Sequence, residues 1–183
     1  MKRLLVALVF ASVAGGFVFG AEPTIPIPAD YRSWVFLTSS LDLNYDEPVP
    51  GTTSRQSMLD NVFVNPAAYE AFTKTGTWPN GTVMVKENRL AESAGTLSKS
   101  GKFQTGVASI ELHTKDNAGT WAFYYSDGKK PAKYLGPGAN CYSCHGDHGA
   151  VDTTFVQFYP TLFDIAKAKG TLSAVFKAEE AKR

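Results

Sequence analysis

"GVASIELHTKDNAGTWAFYYS", residues 106–126, reads as strand, turn and strand. Glu111 and His113 fall on one face of the first segment and Ala108, Ile110 and Leu112 on the other, the period of two expected of a strand. NAGT supplies the turn, and WAFYYS continues with the aromatic content that strands favour. Working upstream, TVMVKENRL (82–90) repeats the alternation, with Thr82, Met84 and Lys86 on one face and Val83 and Val85 on the other. It follows Asn80-Gly81, a strong turn signal. LDNVFV (59–64) is a further strand, and PAAYEAFTKTG (66–76) a short helix with proline at its start and glycine at its end. TIPIPADYRSWVFLTSSL (24–41) begins extended at its prolines and offers a short helix or strand around Tyr31–Leu37. Residues 44–57 and 92–102 read as polar loops, and 127–140 as a Gly/Pro/Lys connection. Residues 141–170 look helical at both ends, with Pro160 interrupting. Strands joined by turns and flanked by helices make an α+β class, a mostly antiparallel sheet packed with helices.

The chain begins with Lys2, Arg3, an apolar run LLVALVFASVAGGFVF (4–19) and the small residues Gly20 and Ala21. That pattern is a secretory signal peptide over residues 1–20, which implies a periplasmic or secreted protein. The run is short for a membrane span and is broken by Ser12, Gly15 and Gly16. Of 183 residues, 163 then remain (21–183), enough for a single domain with a real core. Subtracting Lys2 and Arg3 from the 18 basic residues leaves 16 against 17 acidic ones. Such a balance gives no field for nucleic acid or an anionic membrane, and points to small molecules or other proteins as partners.

Both cysteines lie in CYSCH, residues 141–145. A disulfide between them would close a very small, strained loop that constrains little of the unfolded chain. Zinc could use Cys141, Cys144, His145 and His148, but adjacent Cys144 and His145 would have to fill neighbouring tetrahedral vertices. A redox C-x-x-C favours an early βαβ setting, which is absent here. In C-x-x-C-H the two thiols, one helical turn apart, suit thioether bonds to one edge of a haem, and the next residue suits an axial ligand. Cys141 and Cys144 are thus the expected attachment points and His145 the iron ligand, near the C-terminal helical segment. The methionines are Met1, Met58 and Met84, so none follows His145 as the second ligand of an ordinary small electron carrier. His148 lies on the same helical side as His145. Met58, Met84 and His113 remain as distal candidates, each on or beside a strand where packing is the commoner role. The expectation is an iron open to a small ligand or substrate.

Taken in order, DYRSWVF, VFVNPAAYEAF, TGTWPNGTVMVKE, TGVASIELHTKD, WAFYY, CYSCH and FVQFYP resemble the cytochrome P-460 family, including its cytochrome c′-beta relatives. The resemblance covers most of residues 21–183 and implies an antiparallel sheet, one covalent haem c and a homodimer. In the P-460 enzymes a lysine of the V-K-E stretch is bonded to the porphyrin; Lys86 matches it. A glutamate in the strand before K-D takes protons there; Glu111 matches it. Those enzymes oxidise hydroxylamine to nitrogen oxides, passing electrons to a redox partner cytochrome. The c′-beta members lack the crosslink and bind nitric oxide or carbon monoxide. A carboxylate near open iron suits the enzymatic reading, because oxidising an N–H, O–H substrate releases protons with the electrons. Where the family can carry an arginine, this chain has Asp60, and the nearest arginine is Arg55.

Overall fold

The computed structural model describes residues 23–43, 56–93 and 99–182. The expected leader, most of the 44–57 loop and part of the 92–102 loop lie outside the described residues. Strands β1 (Thr24–Ile25), β2 (Val35–Leu41), β3 (Met58–Val64), β4 (Val83–Glu92), β5 (Phe103–Lys115), β6 (Trp121–Ser126) and β7 (Ala132–Leu135) form one antiparallel sheet. Their spatial order is β1-β7-β6-β5-β4-β3-β2. The helices are α1 (Pro66–Thr75), α2 (Asn140–His148), α3 (Pro160–Lys169) and α4 (Ala174–Glu180), with 3-10 turns at Tyr31–Ser33 and Val156–Phe158. This is the expected α+β arrangement.

Period-two alternation divides the burial. On the helix side of the sheet, Val64 and Met84 join Ala68 and Phe72 of α1, Trp78, Val156, Leu162, Ala166 and Phe176 in one core. On the other side Val85, Ile110 and Leu112 pack with Tyr31 and Ala132, and with Ile25, Ile27 and Trp34 partly buried beside them. Ala68 and Phe72 are four residues apart and share the inner face of α1. Burying a side chain the size of Phe72 contributes roughly 2–3 kcal/mol. The helix stops at Gly76, whose φ of +75° lets its N–H reach the Phe72 carbonyl. A Cβ there would also meet the Lys169 Cβ at 2.8 Å, so glycine lets α1 approach the end of α3.

Three local readings differ from the structure. The 127–140 connection contains β7, a short strand whose alternation is too brief to stand out. Pro160 occupies the first turn of α3 and starts that helix instead of breaking one, because an unpaired N–H is tolerated there. Tyr31–Leu37 divides into a 3-10 turn and the start of β2.

Candidate functional site

Helix α2 carries CYSCH and is held against β6 and β7 by Tyr142, the first of the two residues between the cysteines. The Tyr142 ring stands edge-on to Phe123, with centroids 4.9 Å apart, and its hydroxyl donates to the Tyr134 hydroxyl at 3.4 Å. Cys141 and Cys144 are free, partly buried thiols one helical turn apart. Burial pushes both thiols up; the Glu111 charge adds to this at Cys141, and the charges of Cys141 and Asp147 add to it at Cys144.

His145 Nδ1 lies 2.7 Å from the Thr153 carbonyl oxygen. A carbonyl only accepts, so Nδ1 carries the proton and Nε2 keeps its lone pair, the state an iron ligand needs. Phe123 and Phe155 flank the ring, at 4.7 and 4.2 Å between centroids. Burial pushes His145 down, further favouring the neutral imidazole, although the Thr153 bond opposes that shift.

The carbonyl comes from the turn after α2. Gly149 donates its N–H to the His145 carbonyl at 3.0 Å, and a Cβ on Gly149 would meet that oxygen at 2.6 Å and the Thr154 nitrogen at 2.9 Å. Thr154 Oγ1 donates to the Val151 carbonyl at 2.7 Å and accepts from Trp78 Nε1 at 2.8 Å, tying the turn to the helix-side core. Glycine at position 149 follows from this close approach, since its φ is an ordinary −67°.

The sheet supplies a polar group on its helix-side face. Lys86 on β4 is the register partner of Glu111 on β5, and Lys86 Nζ donates to Glu111 Oε1 at 3.4 Å. Two residues along, Asn88 Nδ2 donates to the same Glu111 Oε1 and to Ser109 Oγ, each at 2.8 Å. Asp60 on β3, the partner of Asn88, is buried with Oδ2 3.9 Å from Lys86 Nζ. Burial pushes the Asp60 carboxyl up; Lys86 opposes this and Glu111 reinforces it. The charges of Lys86 and Glu111 are felt at both Cys141 and His145. The Lys86–Glu111 pair therefore lies within electrostatic reach of Cys141 and His145 on α2.

Other candidates separate from it. His148 turns outward to Glu179 Oε2 at 3.2 Å, as expected of a same-side neighbour of His145. Met84 is absorbed by the core, and Met58 opens β3 opposite Leu90. His113 packs edge-on to His145 itself, with centroids 5.1 Å apart, which places it beside the expected iron ligand. Among the described residues no three His, Cys, Asp or Glu side chains gather as a group that could hold a metal ion. The structure adds Asp60, Asn88 and Thr153 to the residues expected at the site from the sequence. Asn88 was legible as sharing the Lys86 face by period two, whereas no sequence signal marks the Thr153 carbonyl.

The residues fit a haem attached through α2. Two unpaired thiols lie one turn apart, and an imidazole beside them has its ligating nitrogen freed by a hydrogen bond at the other. The buried Asn88 Oδ1 has no partner, an acceptor left over on the facing strand. No helix among the described residues is long and apolar enough to cross a membrane. No curated protein matches the chain. A family model described as Cytochrome P460 matches residues 28–156, a span that includes Lys86, Glu111, Cys141, Cys144 and His145.

Proposed function

Because this chain belongs to the cytochrome P460 family of haem proteins, we propose that it is a mono-haem c-type oxidoreductase that oxidises hydroxylamine to nitrogen oxides. Cys141 and Cys144 would hold the haem by thioethers, His145 Nε2 would bind the iron, and Lys86 would be bonded to the porphyrin. When bound, the haem supplies a redox-active iron with a position open to a small nitrogen compound. The chain's own work is then proton handling and positioning. Asn88 and Lys86 both bond Glu111 through Oε1, which leaves Oε2 to accept a proton from the substrate N–H or O–H. Thr153 keeps the proton of His145 on Nδ1 and its ring oriented. The reading includes removal of residues 1–20 as a leader, a periplasmic or secreted single domain over 21–183, a homodimer, and electron transfer to a partner cytochrome.

The observation that carries this reading is the Lys86–Glu111 register pair on the helix-side face of the sheet, with Lys86 Nζ 3.4 Å from Glu111 Oε1. A gas-binding protein needs neither a lysine for a crosslink nor a carboxylate for proton removal. The test is the ferrous absorption spectrum of the purified holoprotein together with mass analysis of its tryptic haem peptide. A bond joining the haem peptide to the peptide of Lys86, with hydroxylamine turnover, supports the enzyme. An ordinary c-type band with no such bond and no turnover overturns it in favour of a c′-beta-like binder of nitric oxide or carbon monoxide.

A further inference from the structure

The proposed chemistry leaves one buried histidine without a task. His113 is 7% exposed on β5, near the middle of the sheet. Its ring lies parallel to Phe123, with centroids 3.9 Å apart and planes 11° apart, and 4.2 Å from Trp121. Its Nε2 stands 3.3 Å from Thr153 Oγ1. The carbonyl of that same Thr153 accepts the His145 Nδ1–H at 2.7 Å.

We propose that His113 is a positioning residue for His145, acting through Thr153: it anchors the residue whose carbonyl orients the iron-binding imidazole. This rests on the haem reading above. Thr153 belongs to the turn joining α2 to the Val156–Phe158 3-10 turn, and a carbonyl in a turn is only as well placed as the turn itself. His113 ties it to β5, the central strand of the sheet, through a side chain stacked on Phe123 and packed against Trp121. A hydrogen bond at Nδ1 sets both the direction of Nε2 and its basicity as a ligand, so loosening the acceptor weakens the donation of Nε2 to iron. Packing alone does not require an imidazole here, because a phenyl ring could stack on Phe123 equally well. The nitrogen facing Thr153 is what a phenyl ring lacks.

The test compares the holoprotein with His113→Phe and Thr153→Val, the second of which keeps the backbone carbonyl and replaces only the hydroxyl, with a methyl group. Covalent haem is quantified by mass, the iron–histidine stretch of the ferrous protein by resonance Raman, and the reduction potential by titration. The proposal expects attached haem in all three, a lower stretching frequency and a higher potential in both variants, and no further shift when they are combined. Unchanged stretch and potential in both variants overturn it, as does a shift in His113→Phe that Thr153→Val does not share. If His113→Phe fails to fold, Thr153→Val alone decides by the same criteria. A parent protein without covalent haem sinks the haem reading and this inference with it, a result distinct from attached haem whose stretch does not move.

Discussion

Lys86 and Glu111 face each other across the β4–β5 register, and Asn88, two residues along, grips the same Glu111 oxygen that Lys86 reaches. Strand pairing alone puts the lysine and the glutamate side by side. The helix-side face of the sheet thus changes character along its length, from Met84 in the core to a cluster of Lys86, Asn88, Glu111 and Asp60 near the cysteine helix. The side chains are 35% and 40% exposed at Lys86 and Glu111, so their ion pair contributes little to folding.

Glu111→Gln keeps the shape and can still meet Asn88 Nδ2 through its amide oxygen, but it cannot take a proton at neutral pH. The expected result is a fall in hydroxylamine turnover of about 10²- to 10⁴-fold, the usual contribution of a positioned base. Haem content and thermal midpoint should stay close to the parent. Steady-state kinetics on protein normalised for haem checks this; unchanged turnover removes Glu111 from the reaction.

Gly149→Ala tests the turn that delivers the Thr153 carbonyl. The added Cβ meets backbone atoms at 2.6 and 2.9 Å, which no side-chain rotation relieves. The turn must shift, and His145 loses its acceptor or its alignment. The measurement is the fraction of protein carrying covalent haem after expression, expected to fall several-fold while the sheet keeps its circular dichroism. Parent-level haem content would show that the turn tolerates the displacement.

The strands and α1 were readable because period-two and period-3.6 patterns, proline at a helix start and glycine at its end are local signals. β7 and α4 were not, since four and seven residues give too few repeats. At the site the division is similar. Cys141, Cys144 and His145 declare themselves by spacing, and Lys86 and Glu111 by alternation together with the family resemblance. Asp60 stands in the sequence only as a departure from that family pattern; its proximity to Lys86 arises from the β3–β4 register, which single-strand patterns do not contain. Thr153 acts through its main chain, to which side-chain identity is blind.

Glu87 occupies the opposite face of β4 from Lys86 and should affect stability without touching the haem. It is 1% exposed, accepts from the Tyr31 hydroxyl at 2.7 Å and from Arg32 Nε at 3.1 Å, and is also paired with Arg89. Glu87→Ala leaves those donors without their shared acceptor and is expected to cost about 3 kcal/mol. This is the low end for a buried pair, because Arg32 and Arg89 still reach water. Urea unfolding of the holoprotein measures the loss, and an unchanged visible spectrum confirms that the effect stays on that face.

Asp60 and Glu87 should respond to acid with opposite signs. At Glu87 burial pushes the carboxyl up, but the bonds from Tyr31 and Arg32 and the charges of Arg32 and Arg89 outweigh it and hold the group below its usual 4.5. Its contribution is therefore present above 4.5 and lost as pH falls through the lower folded value. At Asp60 burial wins over Lys86 and holds the carboxyl above 3.8. The folded state then binds more protons than the unfolded chain between 3.8 and the raised value, so stability falls as pH rises through that window. Asp60→Asn removes this slope and is expected to be at least as stable as the parent at neutral pH, since the cost of burying the anion is gone. Glu87→Gln removes the opposite slope and is expected to be less stable at neutral pH, with the difference closing in acid. Denaturant titrations of both variants across the acid range check the pair. An Asp60→Asn protein that is clearly weaker at neutral pH would show that the Lys86 contact at 3.9 Å outweighs the burial cost of the Asp60 carboxylate.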